Sequence, residues 1–527
     1  MRWIVRLGLM LCAGAALAAQ DCESLATLLL QEATVARAES LPAGDFTLAA
    51  GKAIPNLPAF CRVVGVIKPS PDSNIQFEVW MPSSGWNSKF QGVGNGGFAG
   101  SINYEQMGAA VAHGYATAST DTGHQGIATD AAWALAHPQK IVDFGYRAIH
   151  ETAVNAKLVV RTFYGVDPAQ SYFSSCSNGG RQALMEAQRY PEDYDGIIAG
   201  APANYWTHLL SNAIWDLLAL LGDKDSYIPA KKLPAIQAAA LAACDALDGV
   251  KDGVIESPAH CRFDPAVLLC AGDETDKCLT APQVMALKLL YAGGRTSDGK
   301  PVFPGYAPGG EAESGGWLPW ITGAAPERSL MFTFGTQFFK NMVFDNAWDY
   351  HTFNVDRDTQ AADQKLASIL NATNPDLSRF KERGGKLILY HGWSDAAIAA
   401  RNTIDYYESV LAKMGKKQAP GFVRLFMAPG MQHCGGGSGP NSFGQIGAGS
   451  GNPESDIGAA LERWVEKGVA PERIVATKRK GDLDPKSEVV RTRPLCAYPL
   501  VAHYTGAGSS DDAANFVCAT AKAAISK

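Results

Sequence analysis

The sequence predicts an α/β protein with a parallel-type central sheet and a large inserted lid domain. Two strand–helix–strand units, over residues 172–200 and 386–427, predict the sheet, because this alternation is typical of parallel strands joined by right-handed crossovers. The segment between them, residues 203–374, shows no clear alternation and predicts the lid. At 527 residues, one domain carrying a second is the expected organisation.

The individual elements follow from side-chain periodicity and from the residues that end them. Residues 75–80 alternate apolar and polar side chains before Pro82, as a half-buried strand does. Pro191 ends the helix of the first unit. Strands are predicted over residues 75–80, 89–93, 114–119, 172–174, 196–200, 386–390 and 423–427, and helices over 144–163, 181–190 and 398–414.

Residues 1–19 have the pattern of an export signal. Arg2 and Arg6 form a short basic start, residues 7–17 are apolar, and Ala16-Leu17-Ala18 is typical of a cleavage site. The apolar run is shorter than the ~20 residues that span a bilayer, which disfavours the alternative of a membrane anchor. We therefore expect a secreted or periplasmic protein with no membrane partner.

Charge and cysteine content restrict the function classes further. Removing Arg2 and Arg6 changes the formal charge from −6 to −8, and this mild acidity offers no basic surface for nucleic acid. Ten of the eleven cysteines remain when Cys12 is removed with the signal. An even number of cysteines in an exported protein favours disulfides over metal binding.

Ser177 lies on a predicted strand-to-helix turn within Ser175-Cys176-Ser177-Asn178-Gly179. A serine nucleophile requires such a strained turn, which exposes its Oγ beside backbone donors. The usual pattern is G-x-S-x-G, and this chain has Ser175 at the first glycine position. A serine-glycine turn that caps a helix is the alternative, but the flanking strand and helix favour a nucleophile.

An acid and a base follow Ser177 in the chain order that serine hydrolases of this architecture use. Asp395 follows the first late strand and His433 follows the second. Ser177 would attack an ester carbonyl, His433 would accept its proton, and Asp395 would orient the imidazole. The alternatives are a helix N-cap for Asp395 and a surface-loop position for His433. Cys176 precedes Ser177 and Cys434 follows His433. A bond between these two cysteines would bring nucleophile and base together.

An oxyanion hole needs two fixed N–H donors. The backbone N–H of Asn178 is the first candidate, and the glycine loop after the strand over 89–93 offers Gly96 or Gly97 as the second. A dinucleotide-binding turn is the competing interpretation of this loop. It is disfavoured because no helix follows to receive a pyrophosphate.

These motifs resemble those of the tannase and feruloyl esterase family, which includes mono(2-hydroxyethyl) terephthalate hydrolases. The resemblance covers nearly all the mature chain and includes Cys176-Ser177, Asp395, His433-Cys434, Asn95-Gly96-Gly97-Phe98, Gly200-Ala201-Pro202 and Arg493-Pro494-Leu495-Cys496. It implies a secreted esterase with an α/β-hydrolase core. Residues 20–202 and 375–527 would form the catalytic domain and residues 203–374 the lid.

The resemblance also implies disulfide pairings. It joins the two motif cysteines, Cys176 and Cys434. Together with short sequence separations, it implies the pairs Cys22–Cys61, Cys244–Cys261, Cys270–Cys278 and Cys496–Cys518.

A second group of polar residues lies in the lid, where residues 245–254 hold three aspartates around two Asp-Gly turns. Such a loop suits a hard cation but equally a solvated acidic turn, and it lacks the start of an EF-hand. The resemblance implies a structural calcium ion. Its implied ligands are the side chains of Asp245, Asp248 and Asp252 and the backbone carbonyls of Val250 and Val254.

Specificity is expected to come from the lid and from the loops around Ser177. Ile398 is expected to face the acyl group by analogy with the family, whereas His391 is expected to support the acid loop. Aromatic lid residues suit contact with an aromatic ring, although each could instead fill the core of the lid. The candidates are Trp317, Trp320, Phe332, Phe334, Phe338 and Trp348.

We therefore expect a secreted serine esterase that hydrolyses esters of aromatic carboxylic acids, of feruloyl or galloyl type, through an acyl-enzyme. The substrate would be a small aromatic ester, free or attached to a plant polymer, and no organic cofactor is expected. The alternatives are a broad-specificity carboxylesterase, a terephthalate half-ester hydrolase and an inactive hydrolase-like binding module. The complete set of serine, aspartate, histidine and motif cysteines disfavours the binding module.

Overall fold

The computed structural model describes residues 20–48, 51–445, 451–482, 484 and 486–521. The predicted signal peptide over residues 1–19 lies outside the described residues. Within these ranges, no helix combines the length and the apolar character needed to cross a bilayer.

A nine-stranded sheet forms the centre of the molecule, and three two-stranded hairpins lie outside it. The strands are, in chain order, β1 (Ala33–Leu41), β2 (Gly44–Thr47), β3 (Ala53–Leu57), β4 (Phe60–Ile67), β5 (Ile75–Pro82), β6 (Lys89–Val93), β7 (Ala116–Thr120), β8 (Gln170–Cys176), β9 (Gly196–Gly200), β10 (Lys386–Gly392), β11 (Val423–Ala428), β12 (Arg473–Arg479), β13 (Val489–Cys496), β14 (Leu500–Tyr504) and β15 (Phe516–Thr520).

The large sheet has the order β1-β4-β5-β7-β6-β8-β9-β10-β11. The six neighbouring strands β7, β6, β8, β9, β10 and β11 run parallel. At one side of the sheet, β1, β4 and β5 pair in antiparallel fashion, and β5 is antiparallel to β7. The predicted α/β class with a parallel-type sheet is confirmed, and the antiparallel strands β1 and β4 are an addition to it.

Helices cover the sheet and fill the segment between β9 and β10. They are α1 (Tyr104–Ala112), α2 (Pro138–Val142), α3 (Ala148–Tyr164), α4 (Asn178–Arg189), α5 (Trp206–Leu221), α6 (Leu233–Cys244), α7 (Ala281–Ala292), α8 (Leu330–Phe338), α9 (Val355–Ala362), α10 (Ser368–Leu370), α11 (Ser378–Glu382), α12 (Arg401–Met414) and α13 (Ile457–Lys467).

All three predicted helix starts differ from the structure. The helix expected over 181–190 is α4, which begins three residues earlier at Asn178. The helix expected over 144–163 opens with a π-helical turn at Asp143–Arg147, and α3 follows it. The helix expected from residue 398 begins at Arg401, because the backbone N–H groups of Ala397 and Ile398 are bound by the carboxylate of Asp395. That carboxylate holds residues 395–398 in a turn before the helix can start.

Apolar side chains pack on both faces of the sheet. The helices α3, α4 and α12 bury one face, and α13 buries the other. Another apolar cluster lies mainly in residues 203–374, where α5 to α10 lie and where the large sheet has no strand. It also includes Phe98, Phe144 and residues 396–399. The division of the chain into a catalytic domain and a lid domain stays a prediction.

Five disulfides cross-link the described residues, and they are the five pairs that the resemblance implies. They join Cys22 to Cys61, Cys176 to Cys434, Cys244 to Cys261, Cys270 to Cys278, and Cys496 to Cys518.

Candidate active site

Ser177 stands between the end of β8 and the start of α4 with a left-handed backbone, at φ 67° and ψ −127°. A serine in this region is strained by about 1–3 kcal/mol, and such strain is concentrated at functional turns. The turn is held because the N–H of Ser177 donates to the carbonyl of Gly200 at 2.9 Å.

The serine at position 175 fits because Gly179 leaves room for it. A Cβ atom added at Gly179 would lie 1.9 Å from Oγ of Ser175, so the two positions share one space. In the usual pattern both positions are glycine. Here the second glycine alone provides the close approach of strand and helix.

A continuous chain of hydrogen bonds joins the three predicted catalytic residues. Oγ of Ser177 donates to Nε2 of His433 at 2.9 Å. Nδ1–H of His433 donates to Oδ2 of Asp395 at 2.8 Å. The residues follow β8, β11 and β10, so the parallel sheet brings their side chains together at the carboxyl ends of its strands.

Asp395 is 2% exposed and is held ionised by its neighbours. Burial opposes the ionised form, but the charge of His433 and hydrogen bonds from His391 and His433 outweigh it and keep the pKa of Asp395 well below its usual value. Nε2 of His391 lies 3.1 Å from Oδ2, and the N–H groups of Ala397 and Ile398 donate to Oδ1. Asp395 therefore accepts hydrogen bonds both from His433 and from the backbone of its own turn. His391 contacts this carboxylate, as expected.

The disulfide between Cys176 and Cys434 lies directly beside Ser177 and His433. It connects two residues 258 positions apart, and Cys434 takes a left-handed backbone at φ 63°. The base is thus covalently tied to the strand that carries the nucleophile.

Asn178 is the first residue of α4, so its N–H is one of the helix donors without an intrahelical partner. Its side-chain Oδ1 accepts from Nε of the fully buried Arg181 at 2.8 Å. Arg181 also donates to the carbonyls of Phe144 and Gly145. Its guanidinium lies over the rings of Phe144 and Trp206, which fixes it behind the turn.

The glycine loop after β6 places Gly97, and not Gly96, at the cavity of Ser177. Gly96 lines a neighbouring groove instead. Gly97 has φ +55°, and a Cβ there would lie 2.3 Å from the carbonyl oxygen of Ala128. The position therefore requires glycine. The next residue, Phe98, accepts at its carbonyl from Nε2 of His124 at 2.8 Å, which anchors the loop.

The loop that carries His433 is also held by the segment between α7 and α8. Nε2 of Gln432 donates to the carbonyl of Gly310 at 2.8 Å. The carboxylate of Glu313 accepts from the N–H of Ser438 at 2.9 Å. The predicted lid is therefore hydrogen-bonded to the loop of the predicted base.

An apolar cavity opens directly over Ser177 and Asn178. Of the predicted pocket residues, Ile398 and Trp320 line it, and Phe334 does so as well. The ring of Trp320 meets that of His433 edge to face at 5.2 Å. The other lining residues are Gly97, Ala203, Trp206, Leu209, Leu210, Met331, Ala397 and His433.

The remaining aromatic candidates lie in the apolar core of the lid segment and do not line this cavity. Trp317 packs against Tyr291 and Tyr306, and Phe338 packs against Phe339. Phe332 contacts Tyr350, and Trp348 stacks on Phe339. The assignment of Trp317 and Phe338 to the substrate pocket is therefore corrected: both are buried because their neighbours are other lid aromatics.

Helix α5 supplies three cavity residues that were not predicted from the sequence, which are Trp206, Leu209 and Leu210. Ala203, Met331 and Ala397 were not predicted either. The helix is apolar on nearly all sides, which is the pattern of a helix packed between two layers. That pattern, directly after Gly200-Ala201-Pro202, was the available signal.

The predicted calcium loop has oxygen donors and excess negative charge, but its aspartates are spread out. Asp252 forms ion pairs with Arg491 and Arg493. Oxygens of Asp245 and Asp248 accept backbone N–H groups of the loop. The three aspartates are not among the side-chain groups whose ligand atoms all lie within 4.8 Å of one another in the described part of the chain.

Comparison with known proteins places the chain in a family. Residues 61–519 match the family model described as tannase and feruloyl esterase. The chain is 46% identical to an uncharacterised esterase of Xanthomonas campestris pv. campestris, covering 98% of this chain and 94% of the relative. It is 34% identical to a mono(2-hydroxyethyl) terephthalate hydrolase of Piscinibacter sakaiensis, covering 88% of this chain and 85% of the relative.

The crystal structure of feruloyl esterase B from Aspergillus oryzae superimposes with a TM-score of 0.86 at 32% identity, over 94% of this chain and 99% of that chain. The α/β-hydrolase type of fold is thereby shown. The chain belongs to the tannase and feruloyl esterase family of carboxylic ester hydrolases.

Proposed function

We propose that this esterase cleaves esters of neutral aromatic carboxylic acids, of feruloyl type, by a serine mechanism through an acyl-enzyme. The observation that carries the proposal is the chain of hydrogen bonds from Ser177 through His433 to Asp395 at the floor of an apolar cavity. Nucleophile, base and acid stand in the order and at the distances that acyl transfer requires.

In the first step, Oγ of Ser177 attacks the ester carbonyl while its proton passes to Nε2 of His433. His433 then gives that proton to the leaving alcohol, and water releases the acid by the same route. Asp395, held ionised, stabilises the imidazolium that forms in each step. The covalent link beside His433 keeps the imidazole within reach of the serine.

The negative oxygen of the tetrahedral intermediate is proposed to bind the N–H groups of Asn178 and Gly97. Support for Asn178 is its place at the start of α4, and support for Gly97 is its place on the wall of the cavity. Gly96 is not retained as a donor, because it faces another groove. Each oxyanion donor is worth about 3–4 kcal/mol of barrier.

The cavity supports a neutral, flat acyl group. Its walls are the aromatic rings of Trp206, Trp320 and Phe334 with the aliphatic side chains of Leu210 and Ile398. No arginine or lysine is among the residues that line it in the described structure. A free carboxylate would be buried there without a partner, so the terephthalate half-ester alternative, which the Piscinibacter sakaiensis relative suggests, ranks below feruloyl esters.

A calcium ion is proposed for the lid loop, held by Asp245, Asp248 and Asp252 and by the carbonyls of Val250 and Val254. The donor chemistry fits, since all five are oxygens. Within the described residues neither carbonyl accepts a hydrogen bond. The ion would supply structural cross-linking alone, and no catalytic step depends on it.

Export is proposed on two grounds. The first is the signal pattern over residues 1–19. The second is the set of five disulfides, one of which lies at the candidate active site, because such bonds persist in oxidising compartments.

A substrate panel tests the proposed specificity. Methyl ferulate, methyl gallate, a short aliphatic ester and mono(2-hydroxyethyl) terephthalate are compared by kcat/KM. We expect methyl ferulate to have the highest kcat/KM. Trp320→Ala should lower kcat/KM for the aromatic esters about tenfold more than for the aliphatic ester. Trp317→Phe, which changes a buried ring outside the cavity, is the control. Equal kcat/KM for all four esters would support the broad carboxylesterase instead.

A further inference from the structure

A cluster of one histidine and two carboxylates lies outside the candidate active site. His150 belongs to α3, Glu186 to α4, and Asp193 to the turn between α4 and β9. Each offers one ligand atom, and these atoms lie within 4.8 Å of one another. Among the described residues this is the one group of three or more histidine, cysteine or acidic side chains with that spacing.

Glu186 is the most deeply buried member of the cluster. Its side chain is 0% exposed, and in the described structure neither carboxylate oxygen has a hydrogen-bond partner. A buried carboxylate without a partner is costly, and in native proteins such a group is normally bound by something. Here it faces an imidazole nitrogen and a second carboxylate.

The other two members are already oriented toward each other. Nδ1 of His150 lies 2.6 Å from Oδ2 of Asp193. The imidazole is stacked on the ring of Tyr190 with 3.7 Å between centroids, which limits its rotation. Because these two atoms share a hydrogen bond, an ion would take the place of the proton between them and move them apart to ligand spacing.

Lys157 lies beside the cluster, and its charge interacts with Glu186 and Asp193. The ammonium of Lys157 donates to the backbone carbonyl of Asp193 and not to a carboxylate of the cluster. If both were ionised, the carboxylates of Glu186 and Asp193 would repel each other at this distance. A proton shared between them, or a bound cation, would relieve that repulsion.

We propose that His150, Glu186 and Asp193 bind a divalent transition-metal ion of the zinc type. An imidazole with two carboxylates suits Zn²⁺, whereas Ca²⁺ prefers oxygen donors throughout. Three protein ligands leave a fourth position for water. The half-buried His150, whose side chain is 26% exposed, gives the ion a way in from solvent.

The site would act as a brace behind the nucleophile turn. It joins α3, α4 and the turn before β9, and α4 begins at the residue after Ser177. The ion would therefore raise stability without contacting the substrate.

Calorimetry tests the site directly. Tag-free enzyme is stripped with a chelator, returned to calcium, and titrated with Zn²⁺ while the thermal midpoint is followed. We expect one saturable zinc site per chain and a raised midpoint. Glu186→Gln and His150→Asn should each weaken zinc binding at least tenfold. The described cysteines are all paired, so thiols do not compete for the ion.

Two controls make the outcome decisive. His208→Asn removes an imidazole bonded to Asp363 outside the cluster and should bind zinc as the wild type does. Asp248→Asn, in the lid loop, should also leave zinc binding intact. No saturable binding by the wild type would overturn the proposal in favour of the shared proton. Unchanged binding by His150→Asn, a variant at a partly exposed position that should fold, would overturn it as well.

Discussion

At the scale of single residues, the serine at position 175, where the usual pattern has glycine, has a physical reason in the structure. The side chain of Ser175 occupies the space over Gly179 that the usual pattern leaves empty. Sequence could predict Ser177 from the flanking strand and helix. It could not predict which glycine of Asn95-Gly96-Gly97 faces Ser177, because that depends on the turn around Ala128.

His124 gives a prediction about pH at this scale. It is 6% exposed, and burial lowers its pKa from 6.5 to about 4. Between these values the unfolded chain binds a proton that the folded chain does not, so stability falls as the pH falls. The full effect is about 3 kcal/mol at low pH.

The variant His124→Phe isolates this contribution. It keeps a ring against Trp133 but removes the titrating group and the bond to the carbonyl of Phe98. The midpoint of thermal unfolding should be higher for the wild type than for the variant near pH 7. This difference should shrink as the pH falls toward the pKa of about 4. If the difference in unfolding midpoint stayed constant across this pH range, His124 would not be the group responsible.

At the scale of elements, the disulfide between Cys176 and Cys434 is expected to serve catalysis. It joins the end of β8 to the loop after β11, which carries His433. Replacing both cysteines by alanine should lower kcat by about 100-fold with little change in KM, because a misplacement of about 1 Å costs that much.

The pair Cys270 and Cys278 supplies the matched control. It closes a short loop of the predicted lid, eight residues apart in sequence, and neither cysteine lines the cavity. Its double alanine variant should keep the wild-type kcat. If the folded variant of the first pair also retained kcat within twofold, the tether would be structural only.

The strands and helices around the site were predictable where local periodicity is strong. The units over 172–200 and 386–427 appear as β8-α4-β9 and β10-α12-β11. The walls of the cavity were predictable only in part. Trp317 and Trp320 lie three residues apart in sequence, and only Trp320 lines the cavity. Which lid ring faces the core and which faces the cavity depends on packing between α5 and α8.

At the scale of the whole molecule, two loops tie the predicted lid to the rest of the chain. In the predicted calcium loop, Asp252 pairs with Arg491 and Arg493, and the loop of His433 is hydrogen-bonded to residues 310–313. If calcium binds as proposed, EDTA dialysis should lower the thermal midpoint by several degrees, and calcium should restore it, because a ligand stabilises the state that binds it. The measurement is differential scanning fluorimetry with metal analysis.

Variants of two lid aspartates control this experiment. Asp248→Asn should have the thermal midpoint of the EDTA-treated wild type, and added calcium should not raise it. Asp273→Asn, an exposed aspartate outside the loop, should respond as the wild type does. A wild-type midpoint that EDTA leaves unchanged, with no metal recovered, would rule out the ion.

The central claim is that Ser177 is the nucleophile of this family member, and active-site labelling tests it most directly. The enzyme is treated with a fluorophosphonate, the modified peptide is mapped by mass spectrometry, and hydrolysis of methyl ferulate is followed in parallel. We predict that label on Ser177 and loss of activity proceed together. Ser177→Ala should remain folded and unlabelled, with kcat at least ~10³-fold lower. Full esterase activity in Ser177→Ala, or label on another serine that tracks inactivation, would contradict the account.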